Sequence, residues 1–130
     1  IQGTLDNPAV PPLRRLQDYF AAIIAKLDRQ DYAFGCLIGN MSMELSPLSD
    51  VVRIELLRSF VRWVIPFRNC VAAGQADGTI RADLPSETLA DFLLAAWHGA
   101  ILRMKIERDR RPLEQFRTVV FDALLKPPSS

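Results

Sequence analysis

Apolar residues recur along the chain at helical spacing, and no stretch alternates in the way a half-buried strand would. Ile1 to Leu5 is short and apolar and reads as the end of an upstream helix, followed by a rigid loop through Asp6, Asn7, Pro8, Pro11 and Pro12. Leu13, Leu16, Phe20, Ile23, Ile24 and Leu27 then form one helical face, with Tyr19 at its margin. Arg14, Arg15, Asp18 and Lys26 take the wet side, and Pro12 suits the first turn. Ala33 to Leu45 reads as a shorter helix that Pro47 stops, with Gly35 and Gly39 four apart on one closely packed side. Ser49 is placed to cap a long helix, roughly Asp50 to Ala76. Its inward stripe is Leu56, Phe60, Trp63 and Phe67; Glu55, Arg58, Arg62 and Asn69 lie opposite, and Pro66 predicts a kink. Gly74 and Ala76 to Thr79 mark a turn, and Ser86 is the expected cap of the next helix. A charged break at Asp109 to Pro112 precedes a last helix, Leu113 to Leu125, and the tail Pro127 to Ser130.

Two of these helices carry more apolar surface than one contact can cover. Leu89 to Glu107 is apolar almost all the way round; the exceptions are a stripe of Asp91, His98 and Lys105, Arg103 on another side, and Glu107 at the end. In the last helix, Leu113, Phe116, Val120 and Leu124 make one stripe, while Phe121 and Leu125 project elsewhere. A helix with so little polar surface needs a different partner on each side. The economical arrangement is a four-helix bundle made from two copies of this pair about a two-fold axis. The surface expected to meet the second copy is Phe92, Gly99 and Arg103 on one helix and Phe116, Val120 and Phe121 on the other, with Arg103 seeking a carboxylate or carbonyl across the dimer.

Composition narrows the class. At 130 residues, 49% of them apolar, the chain is one all-α domain with a real core. Sixteen basic residues against 15 acidic leave a net charge of +1, so the chain lacks the dense basic patch of a nucleic-acid surface. No run is long and uncharged enough to span a membrane, and no leader is apparent, which points to a cytoplasmic protein. The two cysteines, Cys36 and Cys70, are too few for a disulfide scaffold. A single histidine, no gathering of metal ligands, no nucleophile–base pair and no phosphate loop argue against an enzyme, a metal site or a cofactor.

The order of several short motifs carries a resemblance. Gly35-Cys36-Leu37-Ile38-Gly39-Asn40, Glu44-Leu45-Ser46, Trp97-His98-Gly99-Ala100 running into Arg103-Met104-Lys105-Ile106-Glu107, and Arg111-Pro112-Leu113-Glu114 together resemble the C-terminal regulatory domain of TetR-family transcriptional repressors. The likeness extends from the loop before Pro12 to the last helix and is nearest to the acrylate- and electrophile-responsive branch. It implies a regulatory domain of five to six helices that dimerises through the last two and holds a small-molecule effector inside. It also implies N-terminal helix-turn-helix domains that release operator DNA when the effector binds. Nothing before Pro12 has room for three helices, so residues 1–130 are expected to be the regulatory domain alone, reaching DNA only through a part outside this chain.

The expected effector pocket is aromatic: Tyr19, Phe60, Trp63, Phe67 and Trp97, with Asn40, His98 and the Tyr19 hydroxyl to orient the ligand. The same rings would also serve as core filling. Cys36, near a helix start, is either a thiol reactive toward electrophiles or an inert core residue. The alternative to an effector sensor is a helical interaction module with no small-molecule site; a dimer with an internal apolar cavity separates the two.

Overall fold

In the computed structural model the chain is described over residues 2–29 and 50–128. The predicted helix Ala33 to Leu45, and with it Cys36, Asn40 and the Ser49 cap, lies outside the described residues. The described helices are α1 (Gln2–Leu5), α2 (Pro12–Arg29), α3 (Asp50–Asp77), α4 (Ser86–Glu107) and α5 (Arg111–Val119), which runs into a π-helical turn at Val120–Leu124. Among the described residues there is no strand, as the periodicity requires.

Helix α2 starts at Pro12, which has no N–H to leave unpaired in a first turn. Leu16, Phe20, Ile24 and Leu27 are buried along one face, and Arg14 pairs in solvent with Asp18 one turn on (2.9 Å). Arg15 departs from the expected wet side. It is half-buried, and its guanidinium donates to the carbonyls of Val10 (2.7 Å) and Leu5 (3.4 Å).

Helix α3 stays helical through Pro66. Only its second half is a core helix: Val64, Phe67, Cys70 and Val71 are buried. Of the expected inward stripe, Phe67 is buried while Leu56, Phe60 and Trp63 are half-exposed. The buried residues of the second half continue this same line toward the C-terminus, while its first turns are only partly covered. The helix ends in a tight turn that needs small residues. A Cβ on Gly74 would fall 2.6 Å from Ile80 Cγ1, and Gly78 adopts φ +87°, which L side chains rarely tolerate. The Gly74 carbonyl accepts from the N–H groups of both Thr79 and Ile80 (3.0 Å each), and this seats the buried Ile80 over the glycine.

Helix α4 begins one residue earlier than a Ser86 cap requires. Pro85 is the capping position (ψ 142°), Ser86 is the first helical residue, and no side chain caps the end. The helix stops where Arg108 turns left-handed (φ 53°) and returns its N–H to the Met104 carbonyl (2.8 Å). Leu89, Ala90, Leu93, Leu94, Trp97, Ala100, Ile101 and Met104 are buried, and they occupy a little under half the helix circumference. The opposite side leaves Phe92 and Ile106 standing 59% and 73% exposed.

In the last element Leu113, Phe116 and Val120 are buried at the expected spacing, but the next buried residue is Leu125, not Leu124. The π turn is the reason. The Leu125 N–H reaches back five residues to the Val120 carbonyl (2.9 Å), inserting one residue into the register and rotating Leu125 onto the core face. Phe20 sits at the centre of the core. Its ring lies 4.9 Å from Trp97, 5.0 Å from Phe116 and 5.8 Å from Phe67 between centroids, in the tilted, edge-on and stacked arrangements that aromatic quadrupoles favour.

Candidate functional site

The long helices α3 and α4 lie side by side, and between them runs an apolar groove of about 360 Å³. Helix α3 supplies Leu57, Phe60, Val61 and Val64, and α4 supplies Leu94, Ala95 and His98. The imidazole of His98 faces two rings from α3, Phe60 at 5.6 Å and Trp63 at 6.4 Å, which are themselves edge-to-face at 5.5 Å. Burial among these rings holds the His98 pKa below its ordinary value, so at neutral pH the imidazole is uncharged and offers one donor and one acceptor. The groove is also bordered by an inter-helix ion pair. Arg68 donates Nε to Asp91 Oδ1 (3.2 Å) and Nη2 to both Asp91 oxygens (3.0 and 3.2 Å). With the cation already bound at the rim and the imidazole neutral, the groove is suited to apolar matter with at most a single hydrogen-bonding group.

The aromatic residues proposed from sequence as one pocket separate into two groups. Phe60 and His98 line the groove, and Trp63 packs against both rings without lining it. Phe67 and Trp97 are 3% and 4% exposed, pack on Phe20 and do not line it. Tyr19 stands half-buried on α2, edge-to-face with Phe67 at 5.1 Å, which places it on the core side of α3. Asn40 and Cys36 lie outside the described residues. The other thiol, Cys70, donates to the Pro12 carbonyl (3.2 Å), and burial pushes its pKa up to about 11, the opposite of what a reactive cysteine needs. Among the described residues, no three His, Cys, Asp or Glu side chains gather where they could hold a metal ion, and no helix is long and apolar enough to cross a membrane.

The residues expected at a dimer face also divide. Phe92, Gly99 and Arg103 are exposed on α4, and a Cβ on Gly99 would meet nothing within 4 Å among the described residues. Arg103 is paired within its own helix, to Glu107 at 2.8 Å, rather than waiting for a distant partner. Phe116 and Val120 are corrected outright: at 6% and 2% exposure they are core residues of their own subunit, with the Phe116 ring packed on Phe20 and Trp97. Phe121 is half-buried at the edge of the same cluster, 6.4 Å from Phe20. Sequence reasoning missed Ile106 and Val119, which are 73% and 60% exposed. The signal for Ile106 was present: Phe92, Gly99 and Ile106 repeat every seven residues on the side of α4 opposite its buried face. Arg68 was missed because its partner lies 23 residues away on another helix.

The architecture over the described residues is all-helical, and comparison with known proteins specifies the family. The family described as "Tetracyclin repressor-like, C-terminal domain" matches residues 12–120, and the chain belongs to that family. The HTH-type transcriptional repressor DhaR of Mycobacterium sp. (strain GP1) is 66% identical over 125 residues, covering 96% of this chain and 61% of its own length. The transcriptional regulator AcuR of Cereibacter sphaeroides is 32% identical over 115 residues, 88% of this chain and 52% of its own length. A crystal structure of the regulatory protein TetR from Rhodobacter sphaeroides superimposes with a TM-score of 0.85 at 31% identity, over 95% of this chain and 65% of that one. The chain thus spans between half and two thirds of the length of the proteins it matches.

Proposed function

We propose that this chain is the effector-sensing and dimerising part of a TetR-type transcriptional repressor. Two copies clasp through the outward side of α4 and the adjoining surface of α5. A small molecule held at the α3–α4 groove by Phe60 and His98, with Trp63 packed against both rings, favours one packing of these helices over another. The resulting population shift changes the separation of DNA-binding units outside this chain and releases operator DNA. The observation that carries this reading is the two-sided character of α4: one side fills the core, while Phe92 and Ile106 stand in solvent with bare Gly99 between them. A groove with an apolar floor and one neutral imidazole supports the sensing half. A relative 66% identical that is named as an HTH-type repressor supports the regulatory context.

Two measurements test it together. Sedimentation at micromolar concentration is expected to show a dimer that Phe92→Asp or Ile106→Asp converts to monomer. Screening uncharged metabolites is expected to find one that raises the melting temperature and quenches Trp63 fluorescence in a Trp97→Phe background, with both effects reduced by His98→Ala. A wild-type monomer refutes the dimerising half. A dimer that no compound stabilises favours the helical interaction module instead.

A further inference from the structure

We propose that Arg15 is a latch that fixes the N-terminal segment, Gln2 to Pro11, to the helical body and thereby sets the direction in which the preceding part of the repressor leaves it. This rests on the reading of the chain as the regulatory part of a longer repressor.

Arg15 stands in the first turn of α2, and its guanidinium points back along the chain. Nε donates to the Val10 carbonyl in the loop (2.7 Å), and Nη1 reaches the Leu5 carbonyl at the last residue of α1 (3.4 Å). The last carbonyls of a helix have no partner of their own, and a guanidinium can supply one. One planar fork can hold two carbonyls that lie five residues apart, which the single ammonium of a lysine cannot match in geometry.

Two neighbouring contacts hold this segment and the start of α2 that follows it. The Leu5 side chain is only 1% exposed within the core, and the Cys70 thiol of α3 donates to the Pro12 carbonyl at 3.2 Å. The Asn7 side chain accepts the Ala9 N–H (3.0 Å), and the Val10 N–H donates to the Asn7 carbonyl (3.2 Å), so the intervening turn is itself closed. The contrast with Arg14 is informative: that residue is exposed and pairs only with Asp18 on its own helix. Arg15 is also one turn from Tyr19, whose ring rests on Phe67 of α3. The latch therefore belongs to the face of α2 that any shift of α3 would move.

The test compares Arg15→Ala, Arg15→Lys and Arg14→Ala. In hydrogen exchange, the amides of residues 5–10 are expected to exchange about tenfold faster in Arg15→Ala, the effect of losing roughly one charge-assisted hydrogen bond. Arg15→Lys should be intermediate, Arg14→Ala unchanged, and the amides of α3 and α4 unchanged throughout. In the full-length protein, binding to a DNA fragment taken from upstream of its own gene is expected to weaken about tenfold with Arg15→Ala while the dimer persists in sedimentation. Unchanged exchange at residues 5–10 overturns the latch. Faster exchange with unaltered DNA binding overturns its positioning role. A wild-type protein that binds no such DNA removes the repressor reading, and the positioning role with it, whereas the exchange result still decides whether the latch exists.

Discussion

Gly99 separates the free subunit from the dimer. It lies in the interior of α4, where glycine costs about 1 kcal/mol of helix stability relative to alanine. A Cβ there meets nothing within 4 Å among the described residues. Within one subunit, Gly99→Ala should therefore gain about 0.5–1 kcal/mol and raise the melting temperature by about 3 °C. Gly99→Leu should be accepted by the isolated fold as well. In a dimer that closes on this side of α4 the result reverses for the larger side chain. The glycine permits close helix approach, and two-fold symmetry inserts every added atom twice. Overpacking of about 1–3 kcal/mol per site then becomes about 2–6 kcal/mol per dimer, raising the dissociation constant roughly 30-fold or more. Sedimentation velocity over a concentration series reads the association, and denaturant unfolding of the dissociated protein reads the subunit. A Gly99→Leu protein as dimeric and as stable as wild type would show that the second copy does not approach α4 at this point.

Other consequences follow from the core and the groove. Phe20→Ala, at the centre of the aromatic cluster, should cost about 3–5 kcal/mol in denaturant unfolding, whereas the half-exposed Trp63→Ala should cost clearly less. In a Cys36→Ser background, Cys70 should resist a thiol reagent at pH 8 until the protein unfolds. Because its native pKa of about 11 lies above the ordinary value of 9.0, the stability it contributes is complete below pH 9 and declines as pH rises toward 11. His98 behaves in the opposite sense for acid. Its native pKa lies below the ordinary 6.5, so the unfolded chain takes up the proton first and stability falls as pH drops through that value. His98→Phe should flatten this part of the pH profile, and an unchanged profile would show that the imidazole is not desolvated.

Much of the fold was legible because helical periodicity is a local signal. Pro12 at the start of α2, the inward line Leu16, Phe20, Ile24 and Leu27, the turn at Gly74 to Thr79 and the excess apolar surface of α4 all come directly from the order of residues. The errors have local causes too. Ser86 has the chemistry of a cap, yet Pro85 takes that position because its backbone is already extended there. The π turn moved Leu125 inward, since an extra residue in a helix leaves no mark in hydrophobic spacing.

The candidate site was only half legible. Phe60, Trp63 and His98 could be named as ring-bearing residues, but Phe67 and Trp97 carry the same chemistry and fill the core instead. Sequence alone determined that this is an all-helical chain with apolar surface left over, because the period of burial is written in neighbouring residues. Tertiary structure decided which aromatic rings border a groove, that Arg68 pairs with Asp91 beside it, and that Arg15 reaches back to Leu5 and Val10. Those outcomes depend on the angle and depth at which helices meet, and that geometry is settled by all the packed side chains at once.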